Sequence, residues 1–137
     1  MANPFEPKMT KAYWAKRPEH GILYLEYPIH GRRIDGLAVI DESSSDKRVE
    51  TKDSPKLADL AGKRVIVLQT KRNKLGMGVA GQTIISKTLL ELEGVTVVAA
   101  VAICLEIDEK ILGALREHDC DAAVETDPKR SVSAKAA

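Results

Sequence analysis

Two stretches of this 137-residue chain set polar, reactive side chains into apolar, strand-like surroundings. In RRIDGLAVI (residues 32–40) an aspartate, Asp35, stands mid-strand. In RVIVLQTK (64–71) the apolar run ends on Gln69 and Lys71. Residues i and i+2 of a strand share a face, so Gln69 and Lys71 project together. A carboxylate in an apolar strand is costly without a partner. Pairing of the two strands would bring Asp35, Gln69 and Lys71 to one point. Carboxylate and amide oxygens are the donors that Mg²⁺ takes while keeping several waters. A neighbouring lysine can orient a water and stabilise the charge of a developing phosphorane. The chemistry implied is metal-assisted hydrolysis of a phosphodiester. Taken alone, a strand aspartate is more often the partner of a nearby arginine, here Arg32 or Arg33.

These residues must be held by the elements around them. The first eight residues read as an arm and 9–17 as a short helix closed by Pro18. ILYLEY (22–27) alternates and is rich in β-formers, so it reads as a strand. His30-Gly31 marks a turn into the strand 32–40, antiparallel because the connection is short. Residues 41–61 are polar and read as a loop, with one helical turn at 54–60. The strand 64–70 is continuously apolar, as expected with both faces covered. The glycine-rich segment 71–81 reads as a connection. Ile85, Thr88, Leu89 and Leu92 then make a helical stripe over 82–93, with Gly94 beyond its end. A buried strand follows at 95–104, then a helix capped by Asp108 and a short strand at 121–125. The tail 126–137 reads as disordered. The expected order is α-β-β-β-α-β-α-β: an α/β domain over 9–125 with a mixed sheet of four to five strands flanked by helices. Only the step from Val65 to Val101 reads as a clean βαβ unit.

The segments Arg33-Ile34-Asp35-Gly36 and Val67-Leu68-Gln69-Thr70-Lys71, in this element order, resemble the PD-(D/E)XK nuclease superfamily. The resemblance covers about 9–125, with Gln in place of the second acid. It implies a restriction-endonuclease-like core and a Mg²⁺-dependent nuclease acting on nucleic acid, DNA in the first instance, with Mn²⁺ as substitute ion. It implies Asp35 as metal ligand, Gln69 at the second ligand position and Lys71 as catalytic lysine. Gln82 resembles the helix glutamine that some members carry. The family often adds an upstream acid, for which Glu26 is the candidate and Glu19 the second choice. Small nucleases of this kind commonly dimerise, so a homodimer is expected by analogy. With Gln69 replacing an acid, the alternative is a catalytically degenerate module that binds nucleic acid or a protein.

Charge narrows the mode of binding. Lys plus Arg (21) nearly cancels Asp plus Glu (20), and aromatics are 4% of the chain, so neither bulk charge nor base stacking is the expected mode. A local patch of Arg33, Arg72 and Lys74 suffices for phosphate contact. Two other motifs compete weakly. Gly76-x-Gly78-x-x-Gly81 matches a dinucleotide fingerprint but does not directly follow its strand, and no acid stands at the expected distance. The same stretch as a phosphate loop carries Gln82 where lysine is needed. Two cysteines, Cys104 and Cys120, without a CxxC, leave a disulfide or zinc site unsupported. Cys104, Trp14 and Tyr13 read as core, and His30 as a turn residue. No signal sequence or membrane span is read, so a cytoplasmic location is expected.

Overall fold

The computed structural model describes residues 4–126. Helix α1 (Glu6–Lys16) precedes strands β1 (Gly21–Ile29), β2 (Arg32–Ile40) and β3 (Lys47–Glu50). A 3₁₀ turn (Leu57–Leu60) leads into β4 (Arg64–Thr70), followed by α2 (Met77–Leu92), β5 (Thr96–Cys104), α3 (Glu109–Glu117) and β6 (Asp121–Val124). The six strands form one mixed sheet in the order β3-β1-β2-β4-β5-β6. β2 runs antiparallel to both its neighbours, and the remaining pairs are parallel. The α/β expectation therefore holds, with one more strand than the upper figure of five. No helix among the described residues is long and apolar enough to cross a membrane.

The sheet is covered on both sides, and β4 shows why its sequence lacks alternation. Val65 and Val67 enter a core with Leu90 of α2 and Leu112 and Leu115 of α3. Ile66 and Leu68 enter a second core with Met9 and Trp14 of α1. Successive strand residues point to opposite faces, so a strand buried on both sides reads as one apolar run. Asp108 caps α3 as expected, accepting from the N–H groups of Lys110 and Ile111. Gly94 (φ 80°) follows the end of α2 in the left-handed region. His30 and Gly31 both have positive φ (47° and 75°), the combination that a tight two-residue hairpin turn requires. The step β5-α3-β6 is a second parallel crossover that the sequence did not declare.

Two boundaries differ from expectation. Glu6, Pro7 and Lys8, assigned to an arm, form the first turn of α1. Proline is tolerated there because the first amides of a helix lack intrahelical acceptors. Residues 127–137 of the expected tail lie outside the described residues. The glycine-rich connection is shorter than expected: α2 begins at Met77 and takes in Gly78 and Gly81. Buried Leu75, Val79 and Ala80 dock this end, so tertiary packing overrides the weak propensity of glycine.

The polar loop 41–61 hides β3, which pairs parallel to β1 from Gly21↔Lys47 to Tyr24↔Glu50. Its anchor is Lys47. The ammonium donates to the carbonyls of Arg17 and of Glu19, the latter at 2.6 Å, and sits 4.1 Å from the Trp14 ring centre. Replacing Lys47 with Met keeps the apolar stem and removes the charged hydrogen bonds. The expected cost is about 2 kcal/mol, read as a lower denaturant midpoint with an unchanged m-value.

Candidate active site

The β2–β4 ladder runs from Val39↔Val65 to Gly36↔Leu68 and stops there. Beyond it the strands part, and side chains take over the cross-links. Asp35 Oδ2 accepts from the Thr70 N–H at 2.8 Å. The Asp35 N–H donates to Gln69 Oε1 at 3.2 Å. Gln69 Nε2 in turn donates to Ser86 Oγ on α2 at 2.8 Å. Both ends of the Gln69 carboxamide are thus committed, and the residue is only 2% exposed.

The Asp35 and Gln69 side chains meet only through the Asp35 backbone and do not line one pocket. Asp35 lines a cleft of about 320 Å³ on the α1 side, with Glu6, Thr10 and Lys11 of α1 and Leu25 and Glu26 of β1. Gln69 lines a groove on the α2 side with Gln82, Ile85 and Ser86. The cause is a slip in strand alternation. Ile34 and Leu37 both pack into the α2/α3 core. Between them, Asp35 and Gly36 both turn toward α1. A Cβ at Gly36 would come within 2.7 Å of Thr10 Cγ2, so only glycine lets α1 approach this closely. Opposite them in β1, Glu26 has φ 56°.

The cleft is acidic around Asp35. Burial pushes the Asp35 carboxyl up to about 6, against the pull of the Thr70 N–H; Glu26 and Glu6 push it further up, and Lys71 favours the ionised form. Asp35 Oδ1 accepts no hydrogen bond from the described residues. Glu26 pairs with Arg33 at 3.0 Å on the exposed rim. Arg33 is thus the partner of Glu26, not of Asp35. Glu6 Oε2 accepts from the backbone N–H of Arg72 at 2.8 Å.

Glu19, the second choice for an upstream acid, is engaged elsewhere. It accepts from Arg17 at 3.0 and 2.8 Å, which holds its carboxyl below the usual range. Lys71 ties its backbone to β5 through Ile103 O at 2.9 Å. Lys71 also lines a hollow of about 250 Å³ with Asn73, Lys74, Gly78 and Gln82 at the start of α2. Lys74 stands 3.8 Å from Glu106, and the Arg72 guanidinium lies 4.3 Å from the Phe5 ring centre. Cys104 and Cys120 are buried, and burial raises both thiols, which suits core residues rather than nucleophiles.

Sequence reading missed Glu6 and Ser86. The signal for Glu6 was Pro7 as a helix-start residue with Met9, Thr10 and Trp14 following on one helical face. Ser86 carries no signal, because a serine on a helix acquires its meaning from the strand beneath it.

Among the described residues no three His, Cys, Asp or Glu side chains stand close enough to share a metal ion. Magnesium asks for less: one or two carboxylates, with waters and substrate phosphate oxygens completing the octahedron. Asp35, with Glu6 or Glu26 as the second carboxylate, fits that donor chemistry. Gln69, turned to the other face and hydrogen-bonded at both ends, does not. No family model, no curated protein and no solved structure matches the chain.

Proposed function

We propose that this chain is a Mg²⁺-dependent nuclease that hydrolyses phosphodiester bonds of nucleic acids, DNA first, on a restriction-endonuclease-like core. The observation that carries the reading is the Asp35 carboxylate, set beside Glu6 and Glu26 in an acidic cleft where β2 and β4 part. The order of elements supports the fold: an antiparallel hairpin, then, after the short β3, a strand antiparallel to the hairpin's second arm, a helix and a parallel strand. A metal bound here would supply Lewis-acid polarisation of the phosphate and a more acidic water.

The chain's own residues have distinct tasks. Asp35 would hold the ion, with Glu6 or Glu26 beside it. Lys71 would orient the attacking water and stabilise charge on the phosphorane oxygens. Arg33, Lys74 and Gln82 would contact the phosphate backbone, with Arg72 helping to shape the rim beside Glu6. Gln69 serves as the clamp that holds Asp35 to β4.

The test is nicking of plasmid and single-stranded substrates with Mg²⁺ or Mn²⁺. Asp35→Ala should lower the rate by about a thousandfold or more, as expected when several kcal/mol of charge stabilisation at the phosphate is lost. Lys71→Ala should lower it by about a hundredfold. Cleavage that persists in both variants removes the site from consideration. A second reading is favoured by the commitment of Gln69, which leaves one fewer ligand than an active member offers: a non-cleaving module that binds nucleic acid. That reading predicts salt-sensitive binding with no metal-dependent nicking by the unaltered protein.

A further inference from the structure

The groove between α2 and the tip of the β1–β2 hairpin holds about 410 Å³, within the range of small-molecule pockets, and no carboxylate lines it. Its α2 wall is one helix face: Gly81, Ile85 and Leu89 at four-residue spacing, beside Gln82 and Ser86. Ile29, Arg32 and Arg33 line it from the hairpin. His30 of the turn pairs with Glu93 beyond α2 at 3.0 Å, which links the two walls.

The floor of the groove is polar and has hydrogen-bonding capacity to spare. Gln69 is 2% exposed and Ser86 is 7% exposed. A carboxamide has two N–H groups and two oxygen lone pairs, and Gln69 has one partner at each end. Ser86 Oγ accepts from Gln69 Nε2, and its own O–H has no acceptor among the described residues. Buried donors left unmade are costly, so a ligand that satisfies them gains affinity. The walls above this floor are the aliphatic side chains of Ile29, Ile85 and Leu89. Arg32 gives one N–H to His30 O and Arg33 pairs with Glu26, so Arg32 keeps guanidinium donors for an anion.

We propose that this groove binds one nucleotide, with its base between the aliphatic walls, the polar edge of the base on Gln69 and Ser86, and its phosphate at Arg32. A nucleobase is planar, with apolar faces and an edge that carries donors and acceptors side by side. Aliphatic walls cover such faces, and a carboxamide meets both the amino group and the ring nitrogen of adenine. A hydrocarbon anion would leave the floor donors unsatisfied, and a cation would meet arginine with no carboxylate to hold it. The same chemistry is offered by a free nucleotide and by one residue of a strand. Only the strand as source rests on the nuclease reading.

The test is calorimetric titration of the full chain, without divalent metal, with adenosine monophosphate, ribose 5-phosphate and a short single-stranded oligodeoxyadenylate. Adenosine monophosphate should bind about tenfold more tightly than ribose 5-phosphate, or better, because the base makes most of the contacts. Gly81→Leu should abolish binding by filling the groove. It should not lower thermal stability, since a Cβ at Gly81 meets nothing within 4 Å and glycine is the poorer helix former. Arg32→Ala should weaken adenosine monophosphate about tenfold and leave adenosine unchanged. Oligonucleotide binding lost in Gly81→Leu makes the strand the source; oligonucleotide binding that survives while adenosine monophosphate is lost makes the free nucleotide the source. The proposal is overturned if neither ligand shows Gly81-dependent binding at millimolar concentration, or if ribose 5-phosphate binds as well as adenosine monophosphate. Asp35→Ala should keep adenosine monophosphate binding while losing nicking, so the groove and the nuclease reading fail separately.

Discussion

Asp35→Asn is expected to stabilise the metal-free protein while abolishing metal-dependent cleavage. The carboxyl is raised from 3.8 to about 6, chiefly because burial penalises its ionised form. Between about pH 4 and pH 6 the folded state therefore keeps a proton that the unfolded chain has released. Stability falls as pH rises through that window, and the full penalty is present above it. A shift of about two units corresponds to at most about 3 kcal/mol. Asparagine does not titrate, and its side-chain oxygen still accepts from the Thr70 N–H. The gap between the two proteins in urea unfolding should be widest at pH 8 and should close below pH 4.

Adding Mg²⁺ should reverse the order. An ion that binds the ionised carboxylate stabilises only the native form that carries it. The unaltered protein should gain stability with Mg²⁺ at pH 8, less at pH 5, and the Asp35→Asn protein should gain none. If the unaltered protein is the more stable at pH 8 without metal, the cleft does not hold Asp35 as described.

Substitutions at Gln69 should show the next largest effects, and they separate a clamp from a ligand. Gln69→Leu removes the acceptor of the Asp35 N–H and the donor to Ser86 Oγ, leaving buried polar groups without partners. Each such group costs about 1–3 kcal/mol, so a loss of about 2–6 kcal/mol is expected in chemical denaturation. Gln69→Glu restores the acid that the nuclease resemblance calls for. Its oxygen can still accept from Asp35, but it buries a charge at a position 2% exposed. Its folded-state carboxyl should therefore be raised. That protein should be markedly less stable at pH 8 than the parent and regain much of the difference near pH 4. A Gln69→Glu protein that is stable at pH 8 and cleaves faster would instead mean that the residue reaches the metal.

Much of the frame was legible before any coordinates. The strands at 32–40 and 64–70 were legible from apolar runs that only a doubly covered sheet tolerates. The cap at Asp108 and the turn at His30-Gly31 follow from side-chain and backbone chemistry confined to a few residues. β3 was not legible, because Lys47 gains its meaning from the carbonyls of Arg17 and Glu19 and from the Trp14 ring, some thirty residues away. The start of α2 was misplaced for a related reason: glycine lowers helix propensity, and the packing of Leu75, Val79 and Ala80 outweighs it.

Around the candidate site the division is sharper. The sequence by itself placed Asp35 within one strand and Gln69 and Lys71 at the end of another, since strand period is a local property; that the two strands are neighbours was decided by the fold. The tertiary structure alone decided which way each side chain points. Regular alternation predicts that a strand's faces simply repeat, but the β1–β2 pairing breaks at Glu26 and Asp35, and Asp35 lines the cleft with Glu6 and Glu26. Gln69 stays on the α2 side and binds Ser86. A break in alternation comes from contacts between residues far apart in the chain, and no spacing within one strand carries that information.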